Sequence, residues 1–372
     1  MALLKVIPVA NAFEGLLALG EALEGRTTVF FSDRPYTDKV EADDDDALWV
    51  ESSGSTGTPK LIRISAKALL ASAKATEKAL GGPGQWLLAL PINYIAGAQV
   101  LVRSLLADTQ PILTNTSLPF TAENFARAAS LMTGERRYTS LVPTQLQRLG
   151  QAAGSDDFVL EQLRRFDAIL LGGQSPDLRL VEMFRLAGVN IVVTYGSTET
   201  SGGCVYDGVP LEGVGVSLSE DGRIQITGPT LANGLEGQWT SNDLGEFDAD
   251  GKLVVLGRTD RVINSGGIKL ALDRVEDWVR SHRGVLDVVV SPITNLQFGE
   301  SFIAWVVYAD PEYTINPDQA IGAFGIAAKP AIWAALETIP RLSNGKPDHQ
   351  KLATYFQEMQ EDLRKKNGQD SE

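Results

Sequence analysis

Between residues 47 and 290, short apolar runs alternate with stretches of helical period, and that alternation leaves few architectures open. The runs Ala47–Glu51, Trp86–Leu90, Pro111–Thr114, Tyr138–Val142, Ala168–Leu171 and Ile191–Tyr195 read as strands. Between them, Ala66–Leu80, Ala96–Ala107, Ala122–Met132, Thr144–Gln151 and Asp177–Ala187 carry the period of helices. Strands interleaved with helices bury both faces of a sheet, which is a layered α/β fold. From about Gly222 the texture changes to strand pairs, Arg223–Thr227 and Lys252–Leu256, the second preceded by the turn signal Asp250-Gly251. A last block from Arg258 reads helix, strand, strand, helix and a glycine-containing loop. The expected organisation is a large layered α/β domain with a small β-rich subdomain over residues 1–257, then a small α+β domain over residues 258–372. The acidic run Asp43–Asp46 reads as a solvated loop, and the polar tail after Lys365 as frayed.

Composition then narrows the chemistry. With 33 Lys and Arg against 47 Asp and Glu, the net charge of −14 argues against nucleic acid or an acidic membrane as partner. A single cysteine, Cys204, rules out an internal disulfide and fits a reducing compartment. Two histidines, His282 and His349, are too few for a His-rich metal site and make a His-based triad a poor expectation. Catalysis must rest on Lys, Arg, carboxylates, hydroxyls and backbone amides. No uncharged apolar run approaches the roughly 18 residues of a spanning helix, and the apolar start lacks a basic leader, so the expected location is the cytoplasm.

The most informative segment is Ser52-Ser53-Gly54-Ser55-Thr56-Gly57-Thr58-Pro59-Lys60, directly after the strand Ala47–Glu51. Glycines permit a tight loop whose amides can face anionic oxygens, hydroxyls add donors, and Lys60 adds a charge. A Walker loop does not fit: Pro59 stands where its second glycine belongs, and Leu61 follows the lysine. From these residues alone, a phosphate cradle and a Ser/Gly-rich hairpin turn both remain open.

The same string resembles the phosphate loop of the adenylate-forming superfamily of acyl-CoA synthetases, adenylation domains and luciferases, and further motifs of that family occur in order. Leu171-Gly172-Gly173-Gln174 resembles its glycine pair beside adenine. Tyr195-Gly196-Ser197-Thr198-Glu199-Thr200 resembles its Tyr-Gly-x-Thr-Glu segment, and Trp239-Thr240-Ser241-Asn242-Asp243-Leu244 its Thr-Gly-Asp segment with asparagine for glycine. Gly257-Arg258-Thr259-Asp260-Arg261-Val262-Ile263 is similar to its hinge. Gly266-Gly267-Ile268 and Val275-Glu276 are similar to the loop and helix beyond that hinge, and Pro340-Arg341-Leu342-Ser343-Asn344-Gly345-Lys346 to its C-terminal lysine motif.

The resemblance implies roles residue by residue. ATP would be bound by Ser53, Gly54, Ser55, Thr56, Gly57 and Lys60, by Gly172, Gly173, Tyr195, Gly196 and Ser197, and at the ribose by Asp243 and Arg258. Glu199 would hold Mg²⁺, a hard cation that prefers oxygen ligands, and Lys346, Thr198 and Glu199 would be catalytic. Asp260 would be the pivot about which a mobile C-terminal domain turns, bringing Gly266, Gly267 and Lys269 to the CoA step. Only about fifty residues precede the phosphate loop, so a shortened N-terminal subdomain is expected.

Members of the family differ in the acid they activate. Leu90-Pro91-Ile92-Asn93-Tyr94-Ile95-Ala96-Gly97 corresponds to a Leu-Pro-x-x-His-x-x-Gly segment, with Tyr94 in place of histidine, and Arg103 follows within an otherwise apolar helix. By its residues, Arg103 is either a cation snorkelling from a helix end or a fork that takes a second carboxylate of the substrate. This pattern is most similar to the o-succinylbenzoate–CoA ligase branch of menaquinone biosynthesis, which implies an acyl pocket at Tyr94, Gly97 and Arg103. ATP, CoA and an aromatic or dicarboxylic acid would be substrates, with a homodimer as the expected assembly. Another aryl or short-chain acid, or a nucleotide-binding relative without turnover, stays open.

Overall fold

The computed structural model describes residues 3–34, 42–52, 60–235, 237–295, 299–310, 312–316, 318–325, 332–342 and 345–369. It divides into two compact units, Met1–Val255 and Leu256–Glu372.

The first unit opens with β1 (Leu3–Ile7), α1 (Ala12–Leu23), β2 (Thr27–Phe31), β3 (Asp46–Ser52) and β4 (Lys60–Ser65), followed by α2 (Ala66–Ala79). These four strands form one sheet in chain order, with β3 and β4 antiparallel. Asp46 is not the solvated residue that its acidic run suggested. It is 3% exposed, accepts from Trp49 Nε1 at 2.9 Å and from Asn233 Nδ2 at 2.8 Å, and so ties the strand to a distant loop. Its three acidic neighbours do face solvent.

The central sheet comes next, with β5 (Gln85–Leu88), α3 (Ile95–Leu106), β6 (Ile112–Leu113), α4 (Ala122–Ser130), β7 (Arg137–Leu141), α5 (Pro143–Ala153), α6 (Asp157–Arg164), β8 (Ala168–Leu171), α7 (Leu178–Leu186), β9 (Ile191–Ser197), β10 (Gly202–Tyr206) and β11 (Val209–Pro210). Its order is β11-β10-β9-β8-β7-β5-β6, parallel from β6 to β9. Alternate side chains serve two cores. Trp86, Leu88, Tyr138, Ala168 and Leu170 face the core with α1, α2 and α3, whereas Leu87, Ala89, Leu141, Ile169 and Leu171 face the core with α4, α5, α6 and α7. A small antiparallel sheet, β12 (Gly215–Leu218), β13 (Arg223–Thr227), β14 (Gln238–Phe247) and β15 (Leu253–Arg258), completes this part of the chain.

The second unit contains β16 (Val262–Ser265), β17 (Ile268–Ala271), α8 (Leu272–Arg280), β18 (Val285–Asn295), β19 (Gly299–Tyr308), α9 (Asp318–Phe324), β20 (Ile332–Ala335) and α10 (His349–Gln369). The long β18–β19 pair is its backbone, and β19 again alternates: Phe302, Ala304 and Val306 pack towards α8 and α9, Ile303, Trp305 and Val307 towards α10. Among the described residues, no helix is long and apolar enough to cross a membrane.

Candidate active site

In an open parallel sheet, ligands collect beyond the carboxyl ends of the strands where the chain reverses its direction of travel across the sheet. Here that point lies between β5 and β7: the chain leaves β5 for β6 on one side, then returns to β7 on the other. A cleft opens there. Ile95, Ala96, Gln99 and Arg103 of α3 line one side, Ser140 and Val142 at the end of β7 another, and Gly172, Gly173, Thr194, Gly196 and Ser197 the loops after β8 and at β9.

Spacing on α3 explains the first wall, because Ile95, Gln99 and Arg103 stand one helical turn apart on one face. Arg103 does not snorkel; it is 5% exposed. Its guanidinium lies 4.9 Å from the ring centre of Trp86, its Nε has no hydrogen-bond partner, and no carboxylate pairs with it among the described residues. Burial disfavours its charge, with the nearby Tyr206 phenol acting in the opposite sense. Gln99 Nε2 donates to the Ser201 carbonyl at 2.8 Å, while its buried Oε1 is unmatched among the described residues. A buried cation and a buried acceptor left without partners are what a site awaiting polar ligand groups looks like.

The β9–β10 hairpin supplies the next wall. Thr200 Oγ1 receives the Ser197 N–H at 2.8 Å and donates to the Gly202 carbonyl at 2.8 Å, pinning the tight turn. Gly196 is dictated by that closeness, since a Cβ there would stand 2.2 Å from the Gly202 oxygen. The Ser197 hydroxyl is buried without a partner, and the Glu199 carboxylate has no donor or cation among the described residues. Tyr195 Oη donates to Asp243 Oδ2 at 2.8 Å, joining two of the expected ATP-binding residues. Burial and the Asp243 charge both push the phenol up, so it stays protonated.

Several expected residues are placed otherwise. Gly97 is absent from the cleft lining: a Cβ there would meet the Pro91 carbonyl oxygen at 2.2 Å, so it lets α3 start tightly against the preceding loop. Tyr94 precedes α3 at its N-cap, half-buried, and is also absent from that lining. Ser53, Gly54, Ser55, Thr56 and Gly57 lie outside the described residues. Their flanks, Ser52 and the exposed Lys60, are paired in the antiparallel β3–β4 ladder.

In the second unit, Arg258 makes a forked pair with Asp260, at 2.8 Å from Nε and 2.7 Å from Nη2, which holds the aspartate below its usual range. Gly266 and Gly267, with φ of 59° and 87°, form the two-residue turn between β16 and β17, and Lys269 lies exposed just beyond it. Lys346 is exposed on a short hairpin between β20 and α10. Sequence reasoning missed Trp86, Gln99 and Ser140. Trp86 and Ser140 sit on the expected strands and Gln99 within the expected helix; no spacing marks Gln99 and Ser140 as facing one cleft, or Trp86 as the ring against Arg103.

Residues 9–237, more than half of the chain, match the AMP-binding enzyme family. A protein of Mycobacterium tuberculosis named "Probable 2-succinylbenzoate--CoA ligase" is 38% identical, the match covering 84% of this chain and 85% of that protein. The o-succinylbenzoate CoA synthetase (MenE) of Bacillus subtilis has a similar fold. In complex with the acyl-adenylate intermediate OSB-AMP, it aligns with a TM-score of 0.69 at 24% identity, over 88% of this chain and 75% of its own. In complex with ATP and magnesium ion, it aligns with a TM-score of 0.68 at 24% identity, over 87% and 75%. The chain belongs to the AMP-binding enzyme family.

Proposed function

We propose that this protein joins o-succinylbenzoate to CoA through an acyl-adenylate, releasing AMP and pyrophosphate, as a step of menaquinone biosynthesis. The observation that carries the choice of acid is Arg103. A desolvated guanidinium without a carboxylate partner among the described residues, at one wall of the cleft, suits a substrate that keeps one carboxylate while the other is activated. The similar proteins named above support the same acid.

In the first half-reaction a substrate carboxylate oxygen attacks the α-phosphorus of ATP and pyrophosphate departs. Two anions must meet, so the need is for positive charge and aligned donors rather than a base. Lys346, Lys60, Thr198 and the Ser53–Gly57 amides and hydroxyls would supply them. Tyr195, Gly172, Gly173, Gly196 and Ser197 would hold the adenosine and α-phosphate, and Asp243 with Arg258 the ribose. Glu199, an available carboxylate among the described residues, fits Mg²⁺, which takes one or two carboxylates and completes its shell with phosphate oxygens and water. When bound, the ion would offset charge on the polyphosphate. In the second half-reaction the CoA thiolate displaces AMP, which needs mainly positioning. Asp260 would act as pivot and Gly266, Gly267 and Lys269 would serve this step. The enzyme would act in the cytoplasm, and sedimentation would test the homodimer.

The test is an end-point assay with Mg-ATP, CoA and o-succinylbenzoate beside benzoate and medium-chain fatty acids, reading AMP and thioester. Thioester with o-succinylbenzoate alone is expected; thioester only with another acid overturns the substrate, and no AMP with any acid overturns the activity. Lys346→Ala is expected to slow pyrophosphate release by about 100-fold or more while CoA transfer from preformed acyl-adenylate persists. Equal loss in both would rule out a lysine specific to adenylation.

A further inference from the structure

The hairpin that carries Lys346 is moored to the β18–β19 pair by one charged side chain. Arg341 Nη2 donates to both oxygens of Asp287, at 2.8 and 2.7 Å, and its Nη1 donates to the carbonyl of Gly345 at 2.8 Å. That carbonyl belongs to the residue immediately before the lysine. The backbone closes the same small loop: the Leu342 N–H donates to the Lys346 carbonyl at 2.8 Å, the Gly345 N–H to the Leu342 carbonyl at 2.9 Å, and Arg341 bridges Pro347. Asp287 is itself held, its Oδ1 accepting from the Val288 N–H at 2.9 Å beside a shift in register of β18 against β19. The two side chains keep only 18% and 22% of their exposure, so the pair works in a partly desolvated setting.

A lysine ammonium rides on four flexible bonds, and its reach is set by where its Cα is held. We propose that Arg341, braced by Asp287, is a positioning residue for Lys346: the guanidinium clamps the Gly345 carbonyl to the sheet and thereby fixes the stand from which the ammonium reaches the reacting phosphate. This rests on the adenylation role of Lys346 proposed above. The planar fork is what makes the clamp possible, because one nitrogen takes the carboxylate while the other takes the carbonyl. Arg341→Lys keeps the charge but replaces the planar fork by one ammonium on a shorter stem, which matches the two acceptors less well.

The test uses the full chain with Arg341→Ala, Arg341→Lys, Asp287→Asn, the double variant Arg341→Ala/Asp287→Asn, and Lys346→Ala. Each is assayed for pyrophosphate release, for thioester formation from preformed acyl-adenylate, and for thermal unfolding. Arg341→Ala is expected to slow adenylation by about 30- to 100-fold, the scale of a misplaced catalytic group, with the CoA step within about twofold of the parent. Arg341→Lys and Asp287→Asn should each lose about tenfold, and the double variant should be no worse than about twofold below Arg341→Ala, as for residues acting through one contact. Adenylation within twofold of the parent in Arg341→Ala, while Lys346→Ala abolishes it, overturns the clamp and leaves the lysine's role standing. Both half-reactions falling together with the unfolding temperature also overturns it, since that marks a purely structural pair. Where Arg341→Ala does not fold, Asp287→Asn decides by the same split. Adenylation that survives Lys346→Ala overturns the role of the lysine, and the clamp with it.

Discussion

Arg103 in the first unit and Arg261 in the second are both held largely out of water, yet their surroundings differ. Arg261 donates to Asp273 through Nε and to Glu276 through Nη2, the latter at 2.6 Å, and Arg280 shares Glu276 at 2.8 Å. Burial opposes the charge of Arg261, but Glu276 and Asp273 outweigh it and hold its pKa above the usual range. Arg103 lies over the face of Trp86 with the Tyr206 phenol nearby and no carboxylate paired with it among the described residues, and burial pulls its pKa down. A desolvated charge has to be compensated. Where the chain supplies the carboxylates, the arginine holds α8 to the segment that precedes β16. Where it does not, the compensation must arrive with the ligand.

The sharpest way to break this contrast is to remove both cations with unbranched neutral side chains. Arg261→Met would take from Asp273 and Glu276 the cation they share, leaving Glu276 to Arg280, and should cost about 3 kcal/mol of unfolding free energy by denaturant titration. A loss below about 0.5 kcal/mol would mean that the network contributes no more than a surface pair does. Arg103→Met should do the reverse. The KM for a diacid should rise about tenfold or more, the scale of a lost charged contact, while the ligand-free protein unfolds at the same or a higher temperature. A destabilised ligand-free protein with unchanged KM would make Arg103 structural.

The smallest effect concerns a buried group that needs no partner. Cys204 is fully buried and uncharged, and burial pushes its thiol up to about 11, with Thr200 acting in the opposite sense. A group whose pKa is raised on folding contributes stability that is complete below its unfolded pKa and is lost as pH rises towards the folded one. Between pH 8 and pH 10 the protein should therefore lose about 1 kcal/mol more than its Cys204→Ala variant, as measured by urea unfolding. Equal losses would show that the thiol ionises in contact with water.

Much of the architecture was legible because it rests on local spacing. Leu87 and Leu88 face opposite cores through simple alternation, and the apolar runs of β7, β8 and β9 lie close to their expected bounds. Residues before 45 were less legible. The chain there forms β1, α1 and β2, but β2 is a uniformly buried pentapeptide and carries no alternation to read. Asp46 misled for a related reason: its neighbours face water, and only the fold brings Asn233 and the Trp49 indole to it. At the candidate site, the ordered motifs pointed to the residue types that adenylation needs, whereas Gln99 and Ser140 came to light only as walls of a cleft, and Trp86 only as the ring beneath Arg103.

By itself the sequence determined the succession of strands and helices, the family, and the cations and carboxylates available for chemistry, since each is a matter of composition and short-range order. Only the tertiary structure decided which of those charges are already compensated. Arg341 meets its aspartate across 54 residues of chain, and Arg103 meets none among the described residues. Compensation of a buried charge depends on what folding brings within a few ångströms, and no local spacing encodes that.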